Sequence, residues 1–366
     1  MYCENVKSLE QTLNEFQNHP NVSSVLLFFA DKNHPGKEEI ETVLKTFSKP
    51  VIGGIFPEII ADGIRREEGI LVVPLSYELK TALIDLSKDI TEINESISNH
   101  AEAHSIQNPA IFCFTDALAS KKANLIDSLY NCWGPEANYV GGGAGSLSFK
   151  PFPCIIHHDS VSENTAVIGV MDAPIHVGVA HGWTPISEPI KVTETEGNTI
   201  ISLNWEPAID IYRKQIKLHS GVDILHENFF DVAKSYPLGL VRLDSEMTIR
   251  DPYASEDGKL HIVDHVPEGD YIRMMNGNMD SLLQGAQKAV FVASKPTTHK
   301  DSEQFCVDCI SRVLYMQEDF SKELSLLNKD KPMNGILSIG EIANPGDTIL
   351  ELFNKTIVVA KWNKKK

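Results

Sequence analysis

Residues 23–56, SSVLLFFADKNHPGKEEIETVLKTFSKPVIGGIF, read as strand, helix and strand in quick succession. The first eight residues are an apolar run of strand length, and KEEIETVLKTF (residues 37–47) carries Ile40, Val43, Leu44 and Phe47 at helical spacing. VIGGIF (residues 51–56) is a second short apolar run, unusual in holding two glycines. A further run, GILVVPL (residues 69–75), completes a β-α-β-β unit.

Working outward, the same unit recurs. The second copy is AIFCFT (110–115), a helix over 121–132, YVGGGAGS (139–146) and TAVIGVM (165–171). The third is expected as AVFVAS (289–294), a long helix over 303–327, GILSIGEI (335–342) and KTIVVAKW (355–362). Each copy places glycine on the strand after the helix, and the irregular spacing excludes a solenoid. Between copies two and three lies different material: PIHVGVAHGWTPI (174–186), an alternating stretch over 191–203 with a turn at 196–198, helices near 206–217 and 227–234, and a meander over 239–275. The expected fold is therefore mixed α/β (α+β): two domains, 1–220 and 221–366, built of repeated β-α-β-β units with mixed sheets flanked by helices.

Composition narrows the function. The chain has 366 residues, 42% of them hydrophobic, which supports a sizeable core. Thirty-three Lys and Arg against fifty Asp and Glu give a net charge of −17, so neither nucleic acid nor an anionic membrane is an expected partner. The N-terminus lacks a basic stretch followed by an apolar one, and no apolar run approaches the roughly 20 residues of a membrane helix. A cytoplasmic location is expected. Six scattered cysteines in such a chain point to reduced thiols.

Several residues are candidates for chemistry. The run VGGGAGS (140–146) lets backbone approach backbone or ligand, so Gly141, Gly142, Gly143 and Gly145 are either a tight strand crossing or the wall of a pocket. It lacks the Lys-Ser/Thr of a phosphate loop, and the FKPFP that follows blocks a helix. His181 and Trp183 stand where an apolar strand meets a Thr-Pro turn, a place that suits a structural histidine, a ligand-binding one or a heme ligand, with Val177 and Val179 nearby. Cys306 and Cys309 are expected inside the 303–327 helix, which weakens a redox or zinc reading. Cys154, His157 and His158 have metal-like spacing but no complementary pair. Arg312, three residues after Cys309, needs a carboxylate partner. Glu341 is expected to supply it as an ion pair; alternatively Arg312 grips a ligand carboxylate while Glu341 meets an ammonium. No nucleophile elbow, zinc-protease, kinase or Walker motif is present, so the sequence gives an enzyme no positive support.

These motifs together resemble the FIST family of sensory modules, which has N-terminal and C-terminal halves. In the N-terminal half the resemblance rests on VIGGIFPEI with GILVV, VGGGAGS, HGWTPIS and VTETEGNTIISLNWEPAIDIY (192–212); in the C-terminal half it rests on CVDCISR, MNGILSIGEI (333–342) and LFNKTIVV (352–359). It implies a protein that senses small ligands, amino acids foremost, with some members resembling heme-binding nitric oxide sensors that act on histidine kinases. By position it assigns ligand binding to Gly141–Gly145, His181, Trp183, Cys309, Arg312, Glu341 and Asn354. Ser146 departs from the family, whose glycine run usually ends in Asp. With no transmitter segment outside the two halves, the resemblance implies a stand-alone sensor that reports to a separate signalling protein such as a histidine kinase. The expected function is binding of an amino acid or other small carboxylate without a cofactor. A heme sensor using His181 and a thiol enzyme using Cys306 or Cys309 are the alternatives.

Overall fold

The structure is a computed structural model describing residues 1–104, 106–225, 227–242, 247–294, 302–344 and 349–365. Three units share one pattern: strand, helix, strand, helix, strand, a two-stranded hairpin and a final strand. Unit one comprises β1 (Tyr2–Cys3), α1 (Val6–Asn18), β2 (Ser24–Ala30), α2 (Lys37–Leu44), β3 (Val51–Phe56), the hairpin β4 (Glu58–Ala61) and β5 (Ile64–Arg66), and β6 (Ile70–Leu75). Unit two repeats it with β7 (Lys80–Asp85), α3 (Ile90–Ala103), β8 (Pro109–Asp116), α4 (Lys122–Trp133), β9 (Asn138–Ala144), β10 (Ile155–His157), β11 (Ser160–Ser162) and β12 (Thr165–Asp172).

Unit three opens with β13 (Ile175–Ala180) and is interrupted by an inserted module. The insert holds β14 (Thr184–Pro185), β15 (Ile190–Glu196), β16 (Thr199–Leu203), β17 (Glu206–Pro207), α5 (Ala208–Ser220), α6 (Phe229–Ala233), β18 (Leu238–Leu240), β19 (Thr248–Arg250), β20 (Pro252–Glu256), β21 (Lys259–Ile262) and β22 (Tyr271–Asn276). The unit resumes with α7 (Met279–Ser294), β23 (Ser302–Cys309), α8 (Ile310–Met316), α9 (Phe320–Leu327), β24 (Asn334–Ser338), β25 (Glu341–Ala343), β26 (Glu351–Phe353) and β27 (Ile357–Asn363).

The three units exchange hairpins in a ring. Sheet one runs β1-β6-β2-β3 and is completed by unit two's hairpin, β10-β11; sheet two runs β7-β12-β8-β9 and ends in unit three's β25-β26; sheet three runs β13-β27-β23-β24 and ends in unit one's β4-β5. Each has a single parallel pair, β2 with β3, β8 with β9 and β23 with β24. The molecule is thus a pseudo-threefold body in which no unit owns a finished sheet.

The glycines noted in the sequence mark equivalent points of this body. A Cβ on Gly53 would lie 1.8 Å from the Leu27 carbonyl oxygen, on Gly141 1.7 Å from that of Cys113, and on Gly335 2.3 Å from that of Cys306. In each unit, then, the strand after the helix presses against its parallel neighbour so closely that only glycine fits. Inside the body, Phe28, Phe114 and Phe305 come from units one, two and three and meet with centroids 5.0 and 5.3 Å from Phe28. One apolar cluster accordingly runs through all three units.

The insert has its own core. A nine-stranded sheet, β19-β18-β22-β15-β16-β21-β20 with β14 and β17 attached, packs Val192, Leu203, Tyr212, Phe229, Leu260 and Met274 with α5 into a separate cluster. It joins the body through two neighbouring passages, since β14 pairs with β22 (Thr184 opposite Asn276) directly after Gly182 and before Gly277.

Two expectations for the third copy are corrected. Residues 289–294 are the end of α7, not a strand, because Gly285, Ala286, Ala289 and Ala293 form a small-residue face pressed onto β13, where a Cβ on Gly178 would meet the Ala289 carbonyl oxygen at 2.0 Å. Residues 303–309 are strand β23, not helix, so Cys306 and Cys309 are not helical; Cys309 is the N-cap of α8. The unit's first long strand is therefore β23, and the repeat survives with its register moved. The sequence halves 1–220 and 221–366 interlock in space, since sheets two and three and the insert's sheet all contain strands from both. Residue 220 is the last of α5, inside the insert.

Candidate ligand site

Where β23 ends, its carboxyl end meets the bend between β24 and β25, the turn before β27 and the insert. Cys309 caps α8 there, and the backbone N–H groups of Ser311 and Lys355 point at its sulfur. Its thiol hydrogen-bonds the Glu341 carboxyl, which also accepts from Ser338 Oγ at 2.8 Å and Thr356 N at 3.3 Å. Burial, then the Glu341 charge, hold the thiol well above its ordinary range. Burial likewise pushes the Glu341 carboxyl well above the ordinary carboxylate range. A thiol in this setting is a poor nucleophile.

Arg312 lies on α8 one turn further and is fully buried, but it does not pair with Glu341. It donates Nε to Glu323 Oε1 at 3.2 Å, Nη1 to the His181 carbonyl at 2.7 Å and Nη2 to the Leu282 carbonyl at 3.2 Å, with Asp308 Oδ1 3.2 Å from Nε. Burial alone would weaken its charge, yet Glu323 and Asp308 more than reverse that. Asp308 is pushed well up by burial and by Glu323 beside it. The expected Arg312–Glu341 pair is thus replaced by a closed cluster on one unit, with the guanidinium facing protein on every side. Sequence reasoning missed Glu323 because it belongs to α9, which a single 303–327 helix leaves aligned differently.

The other expected residues gather around the same place. Gly142 pairs with Glu341 across β9 and β25, and a Cβ on Gly143 would meet the Ile339 carbonyl oxygen at 2.2 Å. Gly145, with φ of +140°, donates its N–H to Ile55 O at 2.8 Å. The glycine run is therefore a strand crossing that brings β9 against unit three, with all its residues buried. Ser146 starts the loop after it, accepting Ser148 N at 3.0 Å. Trp183 is buried, donating Nε1 to the Lys355 carbonyl at 3.2 Å, with the Lys355 ammonium 5.4 Å from its ring centre. Away from this region, His157 and His158 both meet the Thr81 hydroxyl, at 3.1 and 2.9 Å, while Cys154 is in the core.

His181 does not suit a heme. Its Nδ1 accepts from Trp183 N at 2.8 Å, which leaves the ring proton on Nε2. The adjoining backbone is pressed against α7, since a Cβ on Gly285 would lie 2.7 Å from Gly182 N. The ring lone pair is therefore engaged within the protein in this structure.

Five polar side chains that the sequence reading passed over complete the site. Lys355, 1% exposed, lies 3.1 Å from Asp251 Oδ2 and donates to the Lys234 carbonyl at 3.0 Å. Ser311 Oγ donates to the same Asp251 oxygen at 3.0 Å. Asn354 Nδ2 donates to Asp264 Oδ2 at 2.8 Å, whose other oxygen meets Lys122 Nζ at 2.8 Å. Burial favours protonating Asp264, but Lys122 and Arg250 outweigh it and hold its carboxyl below the ordinary range. Asp251 is pushed up by burial, with Lys355 opposing. Among the buried oxygens with no hydrogen-bond partner in the described residues are Asp251 Oδ1 and Asn354 Oδ1 here, with both carboxylate oxygens of Asp308 beside Arg312 and Asn363 Oδ1 elsewhere. Lys355 stood inside the LFNKTIVV motif, so its position was visible; nothing local marked Asp251, Asp264 or Lys122, which are brought in from elsewhere in the chain.

The model of the FIST N domain matches residues 24–206 and that of the FIST C domain residues 208–344. The chain belongs to the FIST family. FIST domains are sensory domains for small ligands, so the resemblance read from VGGGAGS, HGWTPIS and MNGILSIGEI holds across the chain. No curated protein matches it. The boundary between the two FIST domains falls at residue 207, within the insert, and the polar cluster draws on both sides: Lys122, His181 and Trp183 from the FIST N match, Asp251, Cys309, Arg312 and Glu341 from the FIST C match. No described helix of this FIST protein is long and apolar enough to cross a membrane.

Proposed function

We propose that this FIST protein is a cytoplasmic sensor that binds a small amino compound, an amino acid being the leading choice, and reports to a separate signalling protein such as a histidine kinase. The observation that carries this reading is the pair of buried acceptors Asp251 Oδ1, on the carboxylate that meets the Lys355 ammonium, and Asn354 Oδ1, on the residue that precedes Lys355. A buried acceptor without a donor costs free energy, and a ligand ammonium with its three N–H groups would satisfy both. A carboxylate on the same ligand would meet Lys355. Arg312 has no role in this reading because its donors are already bound within the protein.

The site binds and does not transform its ligand. Burial and Glu341 push the Cys309 thiol up, which supports a binding role over a nucleophilic one at this position.

A thermal-shift panel of the twenty amino acids, simple amines and organic acids tests the reading. A ligand at one hundred times its dissociation constant stabilises by about 2.7 kcal/mol. Amino acids should raise Tm, organic acids lacking an amine should not, and Asp251→Asn should abolish the response. A shift from organic acids alone would overturn the assignment of the ammonium site, and silence across the panel would overturn the ligand class.

A further inference from the structure

The two unpartnered acceptors stand on opposite sides of a structural division. Asp251 belongs to the insert, between β19 and β20, and Asn354 to the body, between β26 and β27. The insert's core is its own, and its described contribution to the body's apolar clusters is limited to Ile249 and Met275, with Met247 packed alongside.

Polar contacts make up much of the remaining contact. They include Lys122 with Asp264, Lys355 and Ser311 with Asp251, Arg250 Nη1 with the Leu352 carbonyl at 2.7 Å, and Arg242 with Glu351 at 3.0 Å. An interface of this kind separates at lower cost than an apolar one, because water can satisfy the ions once they part.

The connection between the two parts suits rotation. Both passages run side by side, and each has a glycine at the crossing: Gly182, with φ of +82°, and Gly277, where a Cβ would lie 2.8 Å from the Trp183 ring. Turning the insert needs changes at these two points; it leaves the insert's own core intact and withdraws Ile249, Met275 and Met247 from the body's cluster.

We propose that residues 184–276 form a lid on a two-glycine hinge, and that the ligand is clasped between Asp251 on the lid and Asn354 on the body. Occupancy then sets the lid angle, and the lid is the part whose position a partner reads. This rests on the ligand reading above and adds to it a route from binding to signal.

Hydrogen exchange on the full chain without ligand tests the hinge, using Lys122→Gln, which weakens the buried clamp, and Glu351→Gln, which weakens the one at the rim. In both variants the amides facing across the division, among them Ser311, Lys355 and Thr356, should exchange about tenfold faster. Amides of β15 and β16 in the lid and of β2 and β8 in the body should keep wild-type protection. Unchanged interface amides in both variants, or loss of protection through β15 and β16 along with them, would overturn the hinge. Because no ligand is present, that failure leaves the ligand class standing, whereas a silent thermal-shift panel does the reverse. An amino acid that raises Tm should in turn slow exchange at the same interface amides; acceleration there would overturn the clasp.

Discussion

At the scale of the residue, Arg312 shows how a buried charge can be structural in a site where a ligand contact was expected. Its removal strands two acids in the interior, so Arg312→Met should cost about 3 to 5 kcal/mol in urea unfolding. A ligand-gripping arginine would lose binding with little loss of stability. Glu341 gives a pH signature. Its folded pKa is raised above the unfolded one, so its contribution is fully present below the unfolded value, near 4.5, and is lost as pH rises towards the folded value. Glu341→Gln removes that titration. The unfolding free energy measured from pH 5 to 9 should therefore move in the variant's favour with rising pH, by no more than about 1.4 kcal/mol per pH unit, the ceiling for one proton. A wild-type curve parallel to the variant's would show that Glu341 is ionised in the folded protein.

At the scale of the element, the glycine-bearing strands carry the fold. Gly141→Ala should cost about 3 kcal/mol or more, seen as loss of soluble protein or a lower urea midpoint, because the new methyl meets backbone in place of a side chain that can turn aside. A pocket wall would tolerate the same change and alter only binding. These strands were legible in sequence because full burial makes them short continuous apolar runs, and the close approach requires glycine. The third unit was legible only in part. AVFVAS has β-strand composition, but the face that decides its structure begins before it, at Gly285 and Ala286, and continues through its own Ala289 and Ala293. In β23, Asp308 and Cys309 interrupt the apolar pattern because they serve the polar cluster, so a strand buried on both faces resembled helix. Candidate residues named from motifs did assemble in one place. Their partners Asp251, Asp264, Glu323 and Lys122 did not show, since ion pairs across the fold leave no periodic trace.

At the scale of the molecule, the ring of exchanged hairpins brings distant chain segments together. The Met1 ammonium donates to Val72 O at 2.9 Å and Lys365 N to Ser76 Oγ at 2.8 Å, so both ends lie along β6 and the stretch just after it. A circular permutant joining Lys365 to Met1 by a short linker and opened in the exposed loop at Phe149 should fold with an unchanged circular dichroism spectrum and one cooperative transition. Two separated transitions would mean that the units do not depend on one another as the shared sheets require.

That shared construction has a consequence during synthesis. Until the segment from Ser302 onward has left the ribosome, β9 waits for β25, the β4 hairpin for β24, and β13 for β27. While the insert and α7 are being made, the nascent chain carries β9 and the β4 hairpin with one open edge each and β13 without its partner, the condition in which edge-to-edge aggregation begins. Shielding by chaperones is needed most in that interval, before the closing strands arrive.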